Sequence, residues 1–252
     1  VNRKQNCLSY WFPRLQASGV AVPKTVIVRA RHDLLRLYCN ATDGEPELTK
    51  TYTVAHERFV LRLVCATSLV GLPCFLRTGM GSGKHDWVHT CCVHNVDKIR
   101  SHIFALIEWS CMVDPIGLPT DVWVVREFLK TEPAFHAFAG MPITKERRWF
   151  FRDGQILGHH PYWPPDSIEF WRKGDHPGNW RKRLDAIQVE SEEEIAYLGK
   201  LTLRVARKFK GGWSLDWLWT TDREWVAIDM ARAEHSFCWN EHPNAPKNLG
   251  SR

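Results

Sequence analysis

Apolar positions recur along this chain at two spacings, and the change from one to the other marks out its elements. From His56 to Leu69, the residues Phe59, Leu63 and Ala66 stand four and three apart, the spacing of one helical face. Ile99, Ile103, Leu106 and Ile107 repeat it and predict a helix from Val96 to Cys111, after which Pro115 and Pro119 break the chain. A third helix is predicted over Glu190 to Phe209. Ser191 stands as its N-cap, Glu192, Glu193 and Glu194 fill the first turn, and Lys208 and Lys210 lie at its end, a charge order that complements the helix dipole. Gly211-Gly212 stops it.

Short runs with strand character fill the rest. They are Ala21 to Val28 introduced through Pro23, Cys74 to Arg77, Trp87 to Val93, Asp121 to Phe128, Met141 to Ile143, Glu146 to Arg152 and Gln155 to His159. Asp153-Gly154 signals a type I′ hairpin between the last two. Thr78-Gly79-Met80-Gly81-Ser82-Gly83-Lys84 predicts a flexible, cationic hairpin tip between the strands on either side of it. The tail from Asn240, with Pro243, Pro246 and Gly250, offers little that could pack. These elements predict an α+β fold without internal repeats. The natural division is a region 1–122 and a region 123–252, with the strand at Asp121 to Phe128 as the connection.

Composition narrows the function classes. A chain of 252 residues with 44% hydrophobic content can bury a sizeable core, and thirteen Trp, many beside Arg or Lys, predict half-buried rings under basic stems. The formal charge of +6 favours anionic partners: nucleotides, nucleic acids or acidic proteins. Its densest basic run, Trp171 to Arg183, has the aromatic and cationic texture of a single-strand binder, with a solvated loop as the plainer reading. Eight cysteines show no Cys-x-x-Cys spacing, which fits reduced thiols in a cytoplasmic protein. His85, His89, Cys91, Cys92 and His94 invite a zinc reading. Adjacent cysteines on a strand point to opposite faces, however, and no second ligand pair with finger spacing follows. No run approaches the ~20 apolar residues of a bilayer span, and none near the start has signal-peptide length, so no membrane partner is expected.

Two acids near the end carry the chemistry. Asp216, in Trp213-Ser214-Leu215-Asp216, and Asp229, in Val226-Ala227-Ile228-Asp229-Met230, each follow an apolar run. Neighbouring antiparallel strands would set them side by side, where like charges call for a cation. Hard oxygen donors with open positions suit Mg²⁺ or Mn²⁺ carrying a nucleotide's phosphates. A solvated hairpin with one acid on each strand is the plainer alternative.

Taken with Phe75-Leu76-Arg77-Thr78, Ser82-Gly83-Lys84-His85-Asp86-Trp87, Trp123-Val124-Val125-Arg126-Glu127 and Glu146-Arg147-Arg148-Trp149-Phe150, the aspartate motifs resemble the ATP-grasp superfamily. The likeness is to its divergent clade, which contains the cell division cycle protein 123 family and phage-encoded relatives, and it covers about residues 70 to 235. It implies two α/β lobes with mainly antiparallel sheets holding ATP between them. Arg77 would then contact the phosphates, with Ser82, Gly83 and Lys84 closing over them. Backbone near Val124 to Phe128 would read adenine, Arg126 and Glu127 lie where the adenine and ribose contacts fall, and Glu127 is the candidate for the ribose hydroxyls. Glu146 shares a strand face with Arg148, the family arginine that steadies a transferring phosphoryl group, while Arg147 would point away towards solvent. Asp216 and Asp229 would hold magnesium. The family's Asp-x-Asn is here Asp229-Met230-Ala231, so Glu234, Ser236 or water would have to fill the missing position. His159 and His160 are either acceptor contacts or packed residues.

The implied activity is an ATP- and Mg²⁺-dependent ligase that forms an acylphosphate, with a peptide or protein acceptor. The alternatives are an ATP-binding assembly chaperone or adaptor and an RNA-end ligase. Lys173-Gly174-Asp175 does not match the Lys-x-Asp-Gly of covalent nucleotidyltransferases, so a lysine adduct is not expected.

Overall fold

The computed structural model describes residues 3–31, 34–35, 46–114, 117–169, 176–247 and 249. The chain forms two compact units, one made of Lys24–Phe128 and the other of Val1–Pro23 together with Leu129–Arg252. Each is taken separately.

In the unit Lys24–Phe128, strands β1 (Thr25–Arg29), β2 (Cys74–Thr78), β3 (Cys92–Val93) and β4 (Val122–Glu127) form an antiparallel sheet in the order β1-β4-β2-β3. The boundary expected at 122/123 therefore falls inside a sheet. Val122–Glu127 is bonded to a strand on each side, so it belongs to this unit's core rather than to a second lobe. One face carries Val28, Cys74, Leu76, Trp123 and Val125. It packs on Phe59, Val60, Leu63 and Ala66 of the helix Pro46–Val70 and on Ile99, Ile103, Leu106 and Ile107 of the helix Ile99–Val113. Both helices lie where the apolar spacing places them, the first extending ten residues further upstream than His56.

The other unit holds a second antiparallel sheet and a two-stranded ribbon, β5 (Phe135–Ala137) with β6 (Met141–Ile143). The larger sheet runs β10-β9-β7-β8, from β7 (Glu146–Arg152), β8 (Gln155–Pro161), β9 (Gly212–Trp219) and β10 (Trp225–Arg232). Asp153 and Gly154 have φ of 48° and 85°, the double positive φ of a type I′ turn, and they join β7 to β8. The helix Glu192–Ala206 is capped by Ser191, whose hydroxyl accepts the Glu194 amide. It lies on the face bearing Trp149 and Trp217, where the Trp217 indole donates to Thr202 Oγ1 at 3.1 Å.

Several expectations differ. Leu8–Gln16 forms a helix that the aromatic run around Pro13 obscured. The basic run Trp171 to Arg183 is helical from Trp180 onwards, and its first part, 171–175, lies outside the described residues. The tail packs closely on the larger sheet: the His159 amide donates to the Asn244 carbonyl at 2.8 Å. Among the described residues, no helix is long and apolar enough to cross a membrane.

Candidate functional site

In the unit Lys24–Phe128, the alternation of β2 and β4 decides which residues share a face. Phe75 is the partner of Arg126 and Arg77 of Val124. Leu76 and Val125 turn to the helices, so Arg77, Val124 and Arg126 gather on the opposite face. Both arginines are buried. The Arg126 Nε donates to Thr25 Oγ1 at 3.2 Å, and Arg77 Nε to the Thr78 carbonyl at 3.2 Å. Glu127, at the strand end, accepts the Lys24 amide through Oε1 at 2.6 Å. One oxygen of the expected ribose ligand thus ties down the start of β1.

The segment after β2 is not a hairpin tip. Lys84–Asp86 forms a single 3₁₀ turn and Trp87–Thr90 a turn of α-helix, so only Cys92–Val93 remains of the predicted strand. The Thr78 amide donates to the Gly81 carbonyl at 2.9 Å, and the Thr90 hydroxyl to the Gly83 carbonyl at 2.7 Å. Gly81 lies so close to the Trp109 ring that a Cβ there would meet it at 2.2 Å, and Gly83 has φ of 59°. Ser82, Gly83 and Lys84 are therefore held in a packed turn.

In the other unit, a single cross-strand row carries the polar chemistry. His160 on β8 is the partner of Arg148 on β7, Arg148 of Asp216 on β9, and Asp216 of Asp229 on β10. The last pairing depends on a bulge. Ala227 pairs with Trp217 and Asp229 with Asp216, so Ile228 is an extra residue on β10. Without it, the register that pairs Ala227 with Trp217 would set Asp229 opposite Leu215, on the face covered by the helix.

Arg148 grips Asp216 with two hydrogen bonds, Nε to Oδ1 at 2.7 Å and Nη2 to Oδ2 at 2.8 Å. Its Nη1 donates to the Phe237 carbonyl at 3.1 Å, and the Tyr162 ring lies 4.5 Å below the guanidinium carbon. Burial works against the Arg148 charge, but Asp216, Tyr162 and Asp229 outweigh it and hold the guanidinium's pKa above its ordinary value. His160 is completely buried. Its Nδ1 lies 2.7 Å from the Pro161 carbonyl and its Nε2 accepts the Trp239 amide at 3.2 Å, so the ring is neutral with the proton on Nδ1. Burial, reinforced by Arg148, pushes its pKa down to about 4. Glu146, also buried, accepts from the Trp163 indole at 3.2 Å and the Thr144 hydroxyl at 3.3 Å.

Arg147 does face away from Arg148, but it does not reach solvent. It is enclosed beneath the helix Glu192–Ala206, donating to Glu194 Oε1 at 2.6 Å and to the carbonyls of Ile187 and Val189. Glu190 lies 3.3 Å away. His159 shares this face, stacked on Trp149 with its Nδ1 3.1 Å from Glu190.

The side chains expected to stand in for the missing Asn are engaged elsewhere. Ala231 is the partner of Ser214. Glu234 turns to Arg232 at 3.2 Å, and the Ser236 hydroxyl meets that of Ser214 at 2.6 Å. Among the described residues, no group of three or more His, Cys, Asp or Glu side chains could hold a metal ion. This covers the His85–His94 region, where Cys92 and His94 meet as a pair at 3.3 Å. Aspartates 216 and 229 thus stand as a pair of carboxylates on one sheet face, without a third such side chain beside them among the described residues.

No protein-family model matches the chain, and a search of curated proteins gives no match. Solved structures do resemble it. Carboxyaminoimidazole ribonucleotide synthase from Aspergillus clavatus, complexed with ATP, aligns over 91% of this chain and 45% of its own, at 11% identity and a TM-score of 0.51. A RimK-domain ATP-grasp protein from Sphaerobacter thermophilus aligns over 91% and 60% at 13% identity and a TM-score of 0.45. D-alanine–D-alanine ligase from Bacillus anthracis aligns over 90% and 55% at 12% identity and a TM-score of 0.46. The chain spans about half the length of these proteins. At such identities the likeness shows the fold alone, and that fold, helices with antiparallel sheets, is the ATP-grasp fold.

Proposed function

We propose that the protein is an ATP- and Mg²⁺-dependent ligase of ATP-grasp type, joining a carboxylate to an amine or similar nucleophile on a peptide or protein. The observation that carries this reading is the half-buried row Arg148–Asp216–Asp229, which sets a planar cation beside two carboxylates on one sheet face. The Aspergillus synthase, crystallised with ATP, supports it. In the reading, Asp216 and Asp229 hold Mg²⁺ or Mn²⁺, which when bound would neutralise phosphate charge. Arg77, Val124, Arg126 and Glu127 serve the nucleotide, with Ser82, Gly83 and Lys84 at its phosphates and Glu146 beside Arg148.

A substrate carboxylate oxygen attacks the γ-phosphorus, the bond to ADP breaks, and an acylphosphate forms. The amine nitrogen then attacks the acyl carbon, phosphate leaves and the amine loses a proton. Arg148 keeps two N–H groups beyond those used by Asp216 and Phe237, one on each terminal nitrogen, and these meet the charge on the transferring oxygens. Lys84 adds a second positive charge. Positioning and neutralisation supply the rate, which suits a site of arginines, lysine and acids.

A second reading, an ATP-binding assembly chaperone or adaptor, is favoured by one observation. Arg148 takes both oxygens of Asp216, and Ala231 stands where a third ligand would be. Incubation with radiolabelled ATP, Mg²⁺ and fractionated extract as acceptor separates the readings. A ligase releases ADP and phosphate with the acceptor, and Asp216→Asn or Asp229→Asn abolishes the release. Retention of full turnover by both variants would refute the ligase, and tight ATP binding with no release under any fraction would establish the adaptor. Release of AMP and pyrophosphate would point to nucleic-acid end joining.

A further inference from the structure

The segment after β10 lies along the polar row and touches successive strands of the sheet. Ser236 Oγ meets Ser214 Oγ on β9 at 2.6 Å. The Phe237 carbonyl accepts Arg148 Nη1 on β7 at 3.1 Å. Trp239 donates its amide to His160 Nε2 on β8 at 3.2 Å, and the Asn244 carbonyl accepts the His159 amide at 2.8 Å. In nine residues the chain crosses three strands and touches each.

Gly158 on β8 records how close this approach is. A Cβ there would stand 2.6 Å from the Asn244 carbonyl oxygen and 2.6 Å from the Pro246 nitrogen, both backbone atoms that cannot swing aside. A side chain at 158 and the seated segment exclude each other.

Arg148 is thus held at three points. Asp216 takes Nε and Nη2, Phe237 takes Nη1, and Tyr162 lies beneath the plane. Asp216 and Tyr162 belong to the sheet and the residue just after it, whereas the Phe237 carbonyl is on the segment that follows β10. We infer that Ser236–Asn244 is a strap that positions Arg148, seated by the neutral His160 ring and released by acid. The strap and its partners lie in one unit, and its role stands whether or not the protein uses a nucleotide.

The acid sensitivity follows from hydrogen-bond chemistry. His160 must accept at Nε2 to hold Trp239, and protonation puts a hydrogen there facing another. Arg148 from β7 and His242 on the strap both oppose charge on the His160 ring, while Glu190 favours it. Glu190 is already engaged with Arg147, His159 and His242. On the strap, Cys238 and Glu241 lie near, Cys238 within the influence of Arg148 and Glu241. With the ring at about 4 when seated and at its ordinary 6.5 when released, the opening equilibrium rises roughly 30-fold between pH 7.5 and pH 5.

NMR of the whole chain tests this. Ring ¹H–¹⁵N correlations at pH 7 should show His160 protonated on Nδ1 alone. The Trp239 amide, corrected for intrinsic exchange, should exchange roughly 30-fold more readily at pH 5 than at pH 7.5. In Gly158→Val at pH 7.5, both the Trp239 amide and the Arg148 Nη1–H should exchange on the order of 10-fold faster or more, as expected when a charged group loses a hydrogen bond. A charged His160 at pH 7, or a proton on Nε2, would overturn the latch. Equal Trp239 exchange at the two pH values would do the same in the unaltered protein, even should Gly158→Val fail to fold. A folded Gly158→Val with a freed Trp239 amide and an unchanged Arg148 Nη1–H would overturn the positioning role.

Discussion

Arg147 and Arg148 are neighbours in sequence with opposite surroundings, because successive side chains of a strand leave its two faces. That much the alternation of β7 predicts. What it cannot predict is where Arg147 goes, since its partners, Glu190 and Glu194, arrive more than forty residues later with the helix that closes the face. Burial opposes the Glu190 charge, and His159, Arg147 and His242 outweigh it and hold its pKa below the usual carboxylate range. Removing the cation would take from two enclosed carboxylates the guanidinium they share, leaving Lys145 on Glu194 and His159 and His242 on Glu190. Arg147→Met keeps the length of the stem and should therefore cost about 3–5 kcal/mol of unfolding free energy, the range for breaking one side of a buried ion pair. Urea denaturation at pH 7 measures this. A solvent-facing arginine, the expectation from sequence, would leave the midpoint nearly unchanged.

The elements show where period-based reading succeeds and where it stops. The strand Glu146–Arg152 and the helix begun by Ser191 were legible because their apolar spacing and capping agree with what they pack against. The bulge at Ile228 was not legible, because Val226-Ala227-Ile228 reads as an unbroken apolar run and the extra residue appears only in the register with β9. Nor was the turn at Thr78–Lys84, where glycines usually associated with mobility instead make room for the Trp109 ring. This close packing has a direct consequence. Gly81→Val forces a branched side chain into space already occupied by the indole, and overpacking of this kind costs about 1–3 kcal/mol. A thermal melt should show a lowered midpoint for Gly81→Val, whereas a substitution in a free hairpin tip would leave it in place.

Across the whole molecule, the buried ionisable groups oppose charging at both ends of the pH scale. Burial pulls the pKa of His56 and His102 down in the unit Lys24–Phe128, and those of His160 and His242 down in the other. Such a histidine takes up its proton in the unfolded chain first, so its contribution is intact above about 6.5 and is lost as pH falls towards the folded value. For His160, between 6.5 and about 4, the loss is about 3 kcal/mol. Cysteines set the alkaline limb. Burial raises Cys91 from 9.0 to about 12 and Cys74 to about 11, so the unfolded chain ionises first and stability falls above pH 9. For Cys91 the loss approaches about 4 kcal/mol. Both cysteines lie in the unit Lys24–Phe128, while the acid limb draws on both units. Unfolding free energy measured from pH 4 to pH 11 should therefore form a plateau between about 6.5 and 9 with a decline on each side. His160→Gln should flatten the acid slope and leave the alkaline one, and Cys91→Ala the reverse, whatever either substitution costs on the plateau. An acid slope unchanged in His160→Gln would mean that His160 is not held neutral.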